Sequence, residues 1–179
     1  MAEPASPAAP AATKVTLSSE DDIFEDDAVF VEQDRRSLTL KAGGTAVGLG
    51  EPILASGKHT WTVRVNESFQ NWGDGILIGV ANGDIDTPGE KAAWGIYTMT
   101  GHVHSGHIGK PGSQGKQICE PLHGRAKGAT ITVDVDLEKG SLAFSVNDGE
   151  QIDAGVHLSS QVRPWVQMVY QGDSVSLVR

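Results

Sequence analysis

The residues from Ala129 to Gly149, ATITVDVDLEKGSLAFSVNDG, form the most regular stretch of the chain. Apolar residues occupy every second position on both sides of a Lys-Gly pair: Ile131, Val133, Val135 and Leu137 before it, and Leu142, Phe144 and Val146 after it. This period of two is typical of a strand with one buried and one solvent-facing side. Lys139-Gly140 and the final NDG are turn sequences, because Gly, Asn and Asp tolerate positive φ. The stretch therefore predicts an antiparallel hairpin.

Shorter stretches of the same kind occur through most of the chain. They predict strands at Val29–Val31, Leu38–Lys41, Ala46–Leu49, Lys58–Val65, Ile76–Val80, Ala93–Met99, His102–Ser105, Val162–Tyr170 and Ser174–Val178. Ile76–Val80 is almost continuously apolar, which favours burial on both faces. Residues 106–128 are Gly-rich with little periodicity and are expected to form a loop. No window has sustained helical periodicity, so the pattern predicts an all-β fold, an antiparallel β-sandwich.

The composition divides the chain into three parts. Residues 1–14 are rich in Ala and Pro and are expected to form a disordered, solvated tail. Residues 15–27 carry two acidic runs around Ile23-Phe24 and are expected to be an acidic lead-in segment. Residues 28–179 are expected to form the sandwich domain.

The overall charge of the chain makes strongly anionic partners unfavourable. The formal net charge is −9, which disfavours nucleic acids and anionic membranes because their phosphates would be repelled. No apolar run approaches the ~18 residues that a membrane-spanning helix needs.

Cys119 is the only cysteine, which fits a reducing compartment, so we expect an intracellular protein in the cytoplasm or nucleus. We do not expect Cys119 to be a catalytic nucleophile, since no arrangement of partners around it is evident.

Several short motifs in order resemble one known family. They are SGKHTW at 56–61, IGVA at 78–81, WG at 94–95 with HSG at 104–106, ITVDVD at 131–136 with GSLAF at 140–144 and NDG at 147–149, and RPWV at 163–166. Together they resemble a SPRY domain spanning Ala28 to Arg179. The resemblance implies a bent, concanavalin-like (jelly-roll-like) sandwich that acts as a non-catalytic interaction module or adaptor. It also implies a peptide or partner surface bound through loops at one end. Gly128-Ala129 stands where the family often has Gly-Asp, and the branch of the family is not assigned.

The resemblance also implies which residues contact a partner. In peptide-binding relatives the turn that aligns with Tyr170–Asp173 contributes an aromatic side chain to the ligand pocket. Tyr170, with Gln171 beside it, is therefore the first candidate for a contact residue. The alternative is an ordinary turn with a half-buried tyrosine.

Two polar loops supply the other candidates. Phe69 and Trp72 lie in NESFQNWGDG, and they are either clamps onto the end of the sandwich or exposed anchors for a partner. Asp84 and Asp86 lie in the acidic loop Asp84–Glu90, which either lines the same end or is a solvated turn. An acidic rim there favours a basic protein or peptide partner. We expect no cofactor, and a small-molecule ligand is not favoured.

The remaining tryptophans and the histidines are expected to be structural. Trp61, Trp94 and Trp165 are interpreted as core anchors. His102 and His104 share one face of a strand, and His107 follows, so the three supply metal-ligand chemistry. Because no cysteine lies nearby, we interpret them as structural or surface residues and expect no metal.

Asp134 and Asp136, which share a strand face, suggest a second function. A carboxylate pair is the chemistry of glycosidases, and related sandwiches occur in lectins and glucanases. The alternation places both on the solvent-facing side, however, and aromatic content is only 6%. The sequence therefore favours a protein-interaction module, with a carbohydrate-binding sandwich as the alternative. A third reading is a structural subunit with no peptide pocket.

Overall fold

The computed structural model describes residues 14–19, 29–31, 35–41, 44–69, 75–83, 93–106, 113–158 and 161–178. Within these ranges every regular element is a β-strand. No helix in the described ranges has the length and apolar character needed to cross a membrane.

The described strands form two seven-stranded sheets. The first contains, in spatial order, β1 (Thr16–Ser19), β4 (Ala46–Glu51), β13 (Val162–Met168), β6 (Leu77–Asn82), β7 (Ala93–Tyr97), β8 (His102–Gly106) and β9 (Ser113–Gln117). The second contains β12 (Ile152–His157), β11 (Ser141–Val146), β10 (Thr130–Asp136), β5 (Lys58–Glu67), β14 (Ser174–Leu177), β3 (Ser37–Leu40) and β2 (Val29–Val31). All neighbouring strands are antiparallel. The all-β sandwich predicted from the sequence is confirmed.

The predicted hairpin is formed by β10 and β11. Val133 pairs with Phe144 and Val135 with Leu142, so the apolar positions of both strands share one face. Burial alternates along β10 as the sequence predicts. Both turns use the left-handed region: φ is +65° at Gly140 and +52° and +57° at the Asn-Asp pair that begins the NDG turn.

The main core lies between the two sheets. Side chains from both sheets are almost entirely removed from solvent there: Leu38, Val63, Ile78, Val80, Ile96, Ile131, Phe144 and Val175 are each 1% exposed or less. Trp61 lies in this core and Trp94 packs against it from a partly buried position. Burial of this apolar surface is the main source of stability for such a sandwich.

A second apolar cluster lies on the outer face of the first sheet. Leu77 and Ala81 of β6 point into it, while Ile78 and Val80 point into the main core. β6 is therefore buried on both faces, as its continuous apolar sequence predicts. Trp165 is the largest side chain of this cluster, and a Cβ at Gly95 would lie 2.9 Å from its indole ring. Glycine at position 95 gives the indole room to lie against the sheet.

Three strands have no counterpart in the sequence prediction. β9 lies inside the Gly-rich stretch predicted to be a loop, and β12 was not identified. β1 lies within the predicted acidic lead-in, yet it pairs with β4 along its whole length. The first sheet thus recruits residues from upstream of residue 28. These strands are at sheet edges, where one side has no strand to pair with and the alternation of burial is weak.

Removal of the last strand is expected to abolish folding. β14 pairs with both β5 and β3, and Val175 is completely buried. A chain ending at Gly172 would leave both neighbouring strands with unpaired backbone groups and an opened core. We expect loss of cooperative urea unfolding, measured by tryptophan fluorescence. A chain ending at Val178 should unfold like the full-length protein, and cooperative unfolding of the shorter chain would contradict the prediction.

Candidate functional site

The two ends of the sandwich differ in what they present. β13, a seven-residue strand, runs from one end to the other, a distance of about 20 Å from its first to its last Cα at ~3.3 Å per step. The turn end, as we call it, carries the turn Tyr170–Asp173 that follows β13. The far end carries Glu51–Leu54, Asn82–Gly83 and the start of β13, which are joined by pairing between Asn82 and Val162 and between Leu54 and Val162.

A buried carboxyl group organises the turn end. Asp173 is 0% exposed. Its Oδ1 accepts a hydrogen bond from the backbone N–H of Phe69 at 2.8 Å, and its Oδ2 accepts one from the N–H of Tyr170 at 3.1 Å. Its own carbonyl oxygen accepts from the N–H of Leu40 at 2.9 Å. One residue therefore joins the loop after β5, the turn after β13 and the end of β3.

Phe69 lies directly beside the turn. Its side chain is 49% exposed. A Cβ at Gly172 would lie 2.7 Å from Cε2 of Phe69, and Gly172 has φ +92°, so only glycine both fits the turn and leaves room for the ring. The ring packs on the turn with one side and faces solvent with the other.

Tyr170 and Gln171 precede Gly172 in the same turn. Tyr170 is half-buried and Gln171 is exposed. The Gln171 Nε2 donates to the carbonyl of Lys41 at 2.9 Å, which fastens the turn to the end of β3. The structure thus brings together Phe69, Tyr170 and Gln171, three of the six residues that the sequence nominated.

The other three nominated residues lie outside the described residues. The segment containing Trp72 leaves the described structure after Phe69 and returns at Gly75, where a Cβ would lie 2.7 Å from Oγ1 of Thr98. Both flanks are at the turn end. The role of Trp72 as a partner contact stays a prediction. The loop with Asp84 and Asp86 is flanked by Gly83 and Ala93, which lie at the far end. The expectation that this loop shares an end with Tyr170 finds no support in its flanks.

The histidines are held by local contacts. The His104 ring packs edge-on against Tyr97 with a centroid distance of 4.9 Å, and it is only 8% exposed. The Nδ1 of His102 lies 2.9 Å from the carbonyl oxygen of Thr100. His107 lies outside the described residues, and among those described no group of three His, Cys, Asp or Glu side chains is placed to hold a metal ion.

The two strand aspartates also have structural partners. Asp134 accepts a hydrogen bond from the Thr60 hydroxyl at 2.6 Å across the β5–β10 pair. Asp136 accepts from the backbone N–H groups of Glu138 and Lys139 and forms an ion pair with Lys58. Desolvation raises the pKa of Asp136, but the N–H of Lys139 and the charges of Lys58 and Lys139 together lower it below its ordinary value. Both carboxylates thus stabilise strands and turns, and the structure does not favour a glycosidase.

Three solved structures resemble this arrangement of sheets. The SPRY domain of human HERC1 has a TM-score of 0.62 at 20% identity, covering 83% of this chain and 91% of its own. The PSpry domain of TRIM65 has a TM-score of 0.58 at 16% identity, covering 92% of each chain. The fold is that of a SPRY domain. A human SPRY domain agrees, with a TM-score of 0.57 at 15% identity over 84% of this chain and 94% of that one. No protein-family model and no curated protein matches the sequence.

Sequence reasoning missed the central residue of the turn end. Asp173 was included only as the end of a turn. Its position directly after Gly172 and before an alternating strand is the available signal, since a side chain at the first position of a strand is able to bond the turn that precedes it. Its bond to Phe69, 104 residues earlier, is a property of the fold.

Substitution of Asp173 is expected to be strongly destabilising. Asp173→Ala leaves two partly buried backbone N–H groups without their acceptors, at a cost of about 3 kcal/mol in the free energy of unfolding. Asp153→Ala is the matched control, because Asp153 is exposed and accepts one N–H, from Gly155; its cost should stay below about 1 kcal/mol. Urea unfolding followed by tryptophan fluorescence measures both. Equal effects of the two substitutions would contradict the clamp.

The thiol of Cys119 is expected to react slowly. Burial raises its pKa, as does the charge of Glu120, and the charge of Arg125 offsets this only in part. At pH 8 the folded protein should therefore contain less thiolate than a free cysteine and react more slowly with Ellman's reagent than the same protein in urea. Identical rates in the folded and unfolded states would contradict this.

Proposed function

We propose that this SPRY-like domain is a non-catalytic module that binds a protein or peptide at its turn end. The single observation that carries the proposal is the clamp by Asp173, whose carboxylate accepts from the backbone N–H groups of both Phe69 and Tyr170 and so holds these two segments together. Interface anchors are commonly aromatic side chains that are partly exposed on an ordered backbone. Such a side chain loses little conformational entropy on binding. The similarity in fold to other SPRY domains supports this proposal.

The rarity of such exposed groups adds support. Among the described residues, the exposed large hydrophobic side chains are Ile53, Phe69 and Val178. Phe69 alone of these lies beside a tyrosine and an exposed amide. Gln171, which donates from the turn to the Lys41 carbonyl, is an exposed polar group of the kind that commonly surrounds an apolar anchor.

We further propose that the partner is basic and that binding takes place inside the cell. The net charge of −9 attracts a basic partner over long range. At the turn end, Asp148 and Glu150 are exposed in the turn after β11, which is bonded to Thr130. Both effects are screened by salt, so affinity for a basic partner should fall as ionic strength rises.

The test compares two substitutions at the site with one elsewhere. Phe69→Ala and Tyr170→Ala should each weaken partner binding at least tenfold, as loss of an aromatic anchor costs about 2 kcal/mol. Val178→Ala removes a similarly exposed side chain just beyond the end of β14, where the Val178 N–H donates to the carbonyl of Thr62 in the middle of β5, and it should leave binding unchanged. Partners are captured from lysate on immobilised wild-type and variant domains, and the captured proteins are quantified by mass spectrometry.

Urea unfolding of the same variants separates a contact role from a structural one. We expect Phe69→Ala and Tyr170→Ala to lower the free energy of unfolding by no more than about 1 kcal/mol, since neither side chain is fully buried. A large loss of stability in parallel with the loss of binding would make Tyr170 a core residue. Capture of the same proteins at the same levels by all variants would refute the turn-end site.

A further inference from the structure

A cleft of about 630 Å³ opens at the far end, where β1, β4 and β13 meet. Three cationic side chains, one carboxylate and two apolar side chains account for most of its lining: Lys14, Arg35, Arg163, Glu51, Pro52 and Ile53. This excess of positive charge contrasts with a chain whose net charge is −9.

Two of the cations are exposed and unpaired among the residues that the structure describes. Lys14 and Arg35 lie at the surface of the cleft. The ion pairs between described residues are Lys58 with Asp136 and Lys127 with Glu67, so neither cleft cation takes part in one. A ligand carboxylate would therefore meet these cations without displacing a described ion pair.

The third cation forms part of a fixed wall. Arg163 is 8% exposed, and its Nε donates to the carbonyl of Gly50 at 3.1 Å. Arg35 is fixed through its backbone, because its carbonyl accepts from the N–H of Leu17 at 2.9 Å while its φ is +53°. Non-glycine residues in the left-handed region are uncommon overall, and those that do occur cluster at functional sites. The cleft is thus bounded by ordered backbone on both sides.

An apolar side chain stands at the rim. Ile53 is 43% exposed although the chain around it is anchored. Leu54 exchanges two backbone hydrogen bonds with Val162, at 2.7 and 2.9 Å. A Cβ at Gly83 would lie 2.8 Å from Cγ2 of Ile53, so this side chain leans on the β6–β7 connection. It forms a fixed apolar contact point beside the cations.

We propose that this cleft is a second binding site, which takes an acidic peptide segment with an apolar residue among its carboxylates. Arginine and lysine provide charge-assisted hydrogen bonds to carboxylates, and an arginine is able to bind one in bidentate fashion. Ile53 and Pro52 would contact the apolar residue of the peptide. A free inorganic anion has no such apolar group and would lose this contact. The length of β13 separates this site from Tyr170, so it does not depend on the function proposed for the turn end.

The test uses a short fluorescein-labelled peptide of glutamates around a central leucine and the full-length protein, with binding followed by fluorescence anisotropy at low salt. Lys14→Gln combined with Arg35→Asn should weaken binding at least about fivefold. Asparagine is chosen because it tolerates positive φ. Lys116→Gln combined with Lys139→Gln is the matched control, since it removes the same charge from two exposed residues that do not line the cleft. The control should bind within twofold of the wild type.

Two further comparisons test the apolar contact and the location. Ile53→Ser should weaken binding of the leucine peptide but not of a peptide with serine in its place. Tyr170→Ala should leave binding of the acidic peptide unchanged, and a loss there would move the site to the turn end and overturn the proposal. Absence of peptide binding to the wild-type protein, or equal losses of affinity in the two double variants, would also overturn the proposal. So would displacement of the peptide by an equal concentration of inorganic phosphate.

Discussion

The carboxyl group of Asp173 is the contact on which the turn end depends. It has no exposure to solvent, and burial of a charged group is costly unless hydrogen bonds replace the lost water. Two backbone N–H donors supply these bonds, and they come from segments that follow strands in different sheets. The cost of removing the Asp173 carboxyl group from water is offset when the loop after β5 and the turn after β13 both donate to it. The same interaction therefore closes the end of the sandwich and positions Phe69 beside Tyr170.

The two proposed sites are connected by one strand with little freedom to move. All seven residues of β13 are buried, from Val162 at the cleft to Met168 before the turn. The strand pairs with β4 on one side and β6 on the other. Its outer face packs in the cluster around Trp165 and its inner face in the main core. Closely packed interiors of this kind hold the two ends of the strand at a fixed separation.

Particular elements show how far the sequence could predict the fold. The β10–β11 hairpin, β5 and β6 were predicted because their side chains report burial directly, by alternation or by a continuous apolar run. β9 and β12 were missed since few of their side chains are buried; in β12, Ala154 is the one fully buried position. Such strands are formed by backbone pairing with a neighbour, which leaves little trace in the identity of the side chains. β1 was missed for another reason: it has only four residues, and its partner β4 lies about 30 residues away in sequence.

The sequence by itself determined the class of fold and the positions of the turns around the β10–β11 hairpin. Alternation and turn chemistry are local properties, so they are readable from neighbouring residues. Only the tertiary structure decided which candidates meet. It placed Phe69 against Gly172 and the flanks of the Asp84–Glu90 loop at the opposite end, and it gathered Lys14, Arg35 and Arg163 around one cleft. These groups are far apart in the chain, and strand order and register, set by burial of the two sheets against each other, bring them together.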